Sequence, residues 1–267
     1  MLRKTLVLLL LATVFVFGQS LADVGTADHD SIAHTFTLFL HQLLLVYWLG
    51  PDIAVFIWSR SAVNPGLGPE QRVTAGRMMN TIDLVPRVCL ALFVTVAGVL
   101  SDTYGIEHPW WQMVGIVLLG PVWLFLVLAA WLKDGTDFGR TMAKYDRWLR
   151  MLLVVGIPAS VAYSSVTGRL ADTPWIAGKL MMLAAIILLG LLMRMRFQAF
   201  FDGVEKMAAD GPSPEIDQQM AYSLKRTRPF VHSIWLLLLL AALLGVVKPG
   251  EPEKQTALAQ AESPLLP

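Results

Sequence analysis

The chain has 267 residues, 55% of them hydrophobic and 15% charged, with a mean hydropathy of +0.59 and a formal net charge of +1. Soluble domains carry about 25% charged residues, so this composition belongs to integral membrane proteins, and the small net charge argues against a nucleic-acid surface. The single cysteine, Cys89, excludes an internal disulfide and any cysteine-rich metal centre and reads as a small buried residue.

The first segment has the make-up of a signal peptide. Arg3 and Lys4 form a basic start, residues 5–17 an apolar core, and Ser20 and Ala22 place small side chains where a signal peptidase inspects them. The core is short for a hydrocarbon layer of roughly 30 Å. Cleavage after Ala22 is therefore expected, with an uncleaved anchor as the alternative, and the mature chain begins on the far side of the membrane. Residues 23–249 then form the membrane domain. The tail 250–267, rich in Pro, Glu, Gln and Ala, reads as disordered.

Six further segments read as membrane helices: 33–58, 83–100, 111–132, 149–166, 175–193 and 229–247. The connections 59–82, 133–150 and 194–228 hold fourteen Lys and Arg residues, whereas the opposite-side segments hold three. This positive-inside bias predicts an all-α, six-transmembrane-helix bundle with both ends outside, in a bacterial inner membrane. Tyr104, Trp110, Trp111 and Trp175 fall at outer helix ends, and Trp58, Trp131 and Trp148 at inner ends, as an aromatic belt requires. Asp210-Gly211-Pro212-Ser213-Pro214 marks a turn within the inner loop 202–221.

A polar stripe interrupts the first of these helices. His34, His41, Trp48 and Asp52 follow at offsets of seven, seven and four residues, which keeps them near one helix face. Ionisable groups at bilayer depth are costly and mark functional cavities. By depth the polar residues fall into two layers. The outer one holds His41 and Lys179, with His34 near Tyr104 and His108 at the edge. The inner one holds Asp52, Asp83, Arg87 and His232. Bland readings stand beside these: a snorkelling Lys179, an Asp83–Arg87 ion pair one turn apart, and a His232 that hydrogen-bonds a carbonyl or Asp52.

His41 carries the sharper reading. A neutral imidazole is cheaper to bury than a carboxylate, offers a lone pair to iron, copper or zinc, and relays protons near neutral pH. Haem in a membrane bundle is held this way between apolar walls. Phe36, Phe39, Leu40, Leu44 and Trp48 are the candidate walls, and Lys179 is the best-placed partner, as a second ligand or as a donor to a carboxylate. Asp52, beside Pro51, is a candidate proton gate on the inner side. Copper is the competing metal, because Met78-Met79, Met181-Met182, Met193 and Met195 supply soft sulfur. Neighbouring methionines diverge by about 100° on a helix, so core filling is the plainer role.

Three stretches resemble one family. The run from His41 to Gly50, HQLLLVYWLG, resembles the first-helix signature of the CopD/HemJ-like membrane proteins. Residues 174–197, PWIAGKLMMLAAIILLGLLMRMRF, resemble the HemJ helix that opens with tryptophan and a lysine-leucine pair. The final helix closes on Lys248-Pro249 as the HemJ C-terminal helix does. The resemblance implies a haem b-binding membrane protein of the protoporphyrinogen oxidase type, with His41 and Lys179 as the characteristic pair; CopD-like relatives imply copper uptake or resistance. Two helices are extra relative to a four-helix HemJ, and Pro51-Asp52 stand where that family has arginine.

Three functions follow as expectations. The first is a haem- or porphyrin-binding redox protein, possessing His41, Lys179, His34 and Trp48 as its site and passing electrons to a quinone or a respiratory partner protein. The second is a copper transport or resistance protein with an outer-facing site at His34 and His41. The third is a non-catalytic membrane scaffold. No dinucleotide loop, phosphate loop or HExxH motif occurs in the sequence.

Overall fold

The computed structural model describes residues 32–250; the expected signal peptide and the tail 251–267 lie outside the described residues. The described residues form seven helices and no strand: α1 Ile32–Ala62, α2 Pro69–Ile82, α3 Leu84–Thr103, α4 Trp110–Leu132, α5 Asp137–Val166, α6 Pro174–Asp210 and α7 Pro214–Val247. Six helical segments, α2 and α3 counting as one, are long and apolar enough to cross a membrane. The described residues are those of an α-helical multi-pass membrane protein. Helices satisfy their own backbone polar groups, which is why lipid-facing chains adopt them.

The six long helices form a ring. Each packs on the next, α1 on α3, then α4, α5, α6 and α7, and α7 closes narrowly on α1. The ring's interior holds one apolar core built from Trp48, Leu84, Val88, Trp123, Ile187 and Leu238 with their neighbours. Proline interrupts α4 at Pro121. There the Thr95 hydroxyl of α3 bridges the α4 ladder, accepting from Gly120 N–H at 2.8 Å and donating to the Ile116 carbonyl at 2.6 Å. A side-chain hydroxyl thus serves backbone groups beside a proline inside the bundle. It leaves no room at Gly120, where a Cβ would sit 2.6 Å from Thr95 Oγ1.

The inner connections depart from expectation. Read as loops, 59–82 and 194–228 instead fold into a helical sub-bundle. The α2 helix and the extensions of α6 and α7 pack together around Ala62, Met79, Phe200, Val204 and Met220. Arg72, almost fully buried, pins them. Its Nη2 donates to Asp217 at 2.6 Å and its Nε to the Ala62 carbonyl at 3.0 Å. Hydropathy windows end where charge begins, but a helix continues as long as its neighbours offer a packing surface. The turn at 211–213 is present, with Ser213 capping α7 by accepting from Ile216 N–H at 3.2 Å.

Candidate functional site

With outer denoting the end of the ring where α1 begins and inner the end where it stops, the outer half holds His41. Its ring packs tilted against Phe93 of α3, centroids 4.2 Å apart, and Trp48 meets the same Phe93 edge-on at 5.8 Å. His41 Nδ1 is buried and has no hydrogen-bond partner. Of the proposed walls, Leu40 and Trp48 are buried, while Phe39 is 56% exposed and points out of the bundle. The periodicity of α1 explains this: Phe39 lies about 200° around the helix from His41. Phe93, on another helix, supplies the aromatic face instead.

Lys179 lies near enough to His41 for its charge to act on the ring. Its Nζ stands 5.5 Å from the centre of the Trp175 ring and packs over Gly245 of α7, where a Cβ would approach it to 2.9 Å. Lys248 stands over Tyr104 at 4.6 Å and over Trp175 at 5.7 Å. Trp175 is therefore not a belt residue as expected. It is buried in a small outer cluster with Ile106, Leu170 and Ile176, and its indole N–H has no partner. Trp110 and Trp111 remain exposed, as a belt requires.

His34 belongs to the same outer cluster. Its Nδ1 is 2.8 Å from Thr103 Oγ1 and its ring meets Tyr104 edge-on at 5.2 Å; Tyr104 in turn meets Trp175 at 5.4 Å. His108 is separately engaged, with Nε2 2.9 Å from Ser101 Oγ. Burial holds the His108 imidazole below its ordinary value, prevailing over a hydrogen bond with Gln112 that favours the charged form; the positive charge of Arg169 acts with burial.

The inner half holds more charge than the sequence suggested. Asp52 accepts from Trp235 Nε1 at 2.5 Å, joining α1 to α7. His232 does not take that place; it is exposed and contacts the rings of Phe56 and Trp235. Arg87 pairs with Asp83 as expected. Beyond these, Asp146 accepts from Trp123 Nε1 at 2.7 Å and from Arg150 Nε at 3.1 and 3.0 Å, and Arg194 stands 3.7 Å from it. The Arg150 guanidinium also lies over the Trp123 ring, 5.1 Å from its centre.

The network lies well inside the length of its helices. Trp123 lies thirteen residues into α4 and nine from its end, ~20 Å and ~14 Å from the two ends at 1.5 Å per residue. Asp146, Arg150 and Arg194 fall in the connections 133–150 and 194–228 because they precede or follow the apolar windows. The signal that could have revealed them is the i, i+4 spacing of Asp146 and Arg150 on a helix that begins well before residue 149.

No three of the His, Cys, Asp and Glu residues among those described cluster closely enough to hold a metal ion. The methionine pairs split: Met79 is buried while Met78 is 41% exposed, and Met181 and Met195 are exposed.

Fold and site together define a multi-pass α-helical membrane protein with a buried histidine toward one end of its ring and an ion network toward the other. Compared with known proteins, the chain matches no protein-family model, and neither a curated protein nor a solved structure is significantly similar to it.

Proposed function

We propose that the protein is a membrane redox protein that binds haem b or a related porphyrin in the outer half of its ring, as the CopD/HemJ resemblance implies. The observation that carries this reading is the buried, unpartnered Nδ1 of His41. An unsatisfied buried nitrogen costs about 1–3 kcal/mol, a cost that a ligand or substrate at that atom would recover. The residues fit such a group: an imidazole nitrogen for iron, the aromatic faces of Phe93 and Trp48 for a macrocycle, and the ammonium of Lys179 for a carboxylate. Bound haem would supply one-electron transfer. His41 would hold it, Lys179 would orient it, and the packed rings would keep water out.

In this reading the fourteen-to-three excess of Lys and Arg in the inner connections places both ends of the chain outside, so that His41 faces the outer leaflet. A quinone or a membrane-bound partner protein would accept the electrons. The copper reading gains less support, since the members of the methionine pairs differ in burial and no three His, Cys, Asp and Glu side chains cluster among the described residues.

An absorption spectrum of the detergent-solubilised protein tests the proposal. A Soret band that is lost or shifted in His41→Ala supports it. A colourless preparation that binds Cu(I) stoichiometrically favours the copper alternative. Unchanged spectra, metal content and growth in both His41→Ala and Lys179→Ala leave the scaffold reading.

A further inference from the structure

The inner charge layer is not balanced by its own members. Arg150 on α5 and Arg194 on α6 both approach Asp146, at 3.0 and 3.7 Å, and the charge of Arg87 on α3 reaches Arg194 as well. Their carboxylate partners are Asp83, paired with Arg87, and Asp146, shared between Arg150 and Arg194. Three guanidiniums therefore face two carboxylates. Asp52, the remaining acid of the layer, is turned toward Trp235, and the charge that reaches it is the like charge of Asp83.

Two observations point to a ligand rather than to a closed ion network. Arg150 is 5% exposed, and its Nη2 is buried with no partner. The Nε of the same guanidinium is taken by Asp146, and Nη2 is left as the open donor. Arg194 keeps 40% of its side chain accessible. It is held only by the 3.7 Å approach to Asp146. A charge at this depth is costly unless neutralised, and guanidinium forks match the oxygens of phosphate better than any other common anion-binding side chain.

We infer that Arg194, Arg150 and Arg87 form a binding site for a phosphate group in the inner half of the ring. The ligand is either free phosphate or the headgroup of an anionic phospholipid, because both present the same oxygens. Basic pockets between membrane helices on the positive side of a bundle bind lipid phosphates in this manner. The site is separate from His41 and does not depend on the redox reading.

Thermal unfolding of the full-length protein in mild detergent tests this site. Sodium phosphate is titrated against sodium chloride at constant ionic strength, and phosphatidylglycerol against phosphatidylcholine in mixed micelles. Saturable stabilisation by phosphate identifies a soluble ion; stabilisation by phosphatidylglycerol alone identifies a headgroup. Arg194→Gln, which leaves the Asp146–Arg150 pair in place, weakens the effect about tenfold or more, and Arg194→Lys falls between. Arg226→Gln, on the exposed surface of α7, leaves it unchanged. The site is ruled out if neither phosphate nor phosphatidylglycerol stabilises the wild-type protein beyond its control, or if Arg194→Gln retains the full response.

Discussion

The indole of Trp123 donates to the carboxylate of Asp146 at 2.7 Å, and the guanidinium that pairs with that carboxylate lies over the same indole. One tryptophan therefore serves an ion pair twice, through its N–H and through its ring face. Both neighbours are nearly inaccessible, so solvent screening is weak. Trp123→Phe keeps an aromatic face and removes the donor; it should cost about 1–2 kcal/mol or more in thermal unfolding. Asp146→Asn leaves Arg150 and Arg194 without their shared counterion, and should cost about 3–5 kcal/mol. Equal, small effects of both substitutions would show that water reaches the pair.

His41 separates folding from function. Its imidazole leaves a nitrogen unsatisfied in the protein alone, so His41→Leu should leave ligand-free stability unchanged within about 1 kcal/mol or raise it. The same substitution should abolish haem-dependent absorbance. A large loss of stability in the ligand-free protein would instead assign the ring to packing.

Lys179 sits over Gly245, and the fit is close. Gly245→Ala should push the ammonium aside without altering any charge. The measurable result is weakened binding of a carboxylate-bearing porphyrin, by about tenfold, in a protein that still folds. Unaltered affinity would mean that Lys179 takes no part in binding.

Asp52 couples two helices through Trp235, at the narrow seam between α1 and α7. If it passes protons from the inner side, Asp52→Asn changes the pH dependence of the redox rate, while Trp235→Phe changes the rate with the acid retained. An identical pH profile in Asp52→Asn and wild type removes the gating role.

The outer cap carries its own pH dependence. His108 is held below its ordinary imidazole value in the folded protein. The unfolded chain therefore binds more protons than the folded one as pH falls through about 6.5, the ordinary histidine value. Folding stability should be level above that pH and decline below it. In His108→Gln this part of the decline should disappear from unfolding midpoints measured between neutral and mildly acid pH.

The sequence by itself determined the class of protein. Apolar runs of membrane length admit only helices, and the sequence reading of six spans agrees with the six helical segments of the ring. Ring order, by contrast, depends on which faces meet, and no span's hydropathy records that. The His41 position and the Asp83–Arg87 pair were legible because each follows from spacing on one helix. Phe93, Trp123 and Arg194 were not legible as a site, because their partners lie on other helices. Trp175 reads as an interfacial residue from the sequence, but packing turns its indole inward. Local periodicity fixes where a side chain points around its own axis; only the assembled bundle decides what stands opposite, because that energy comes from contacts between segments far apart in the chain.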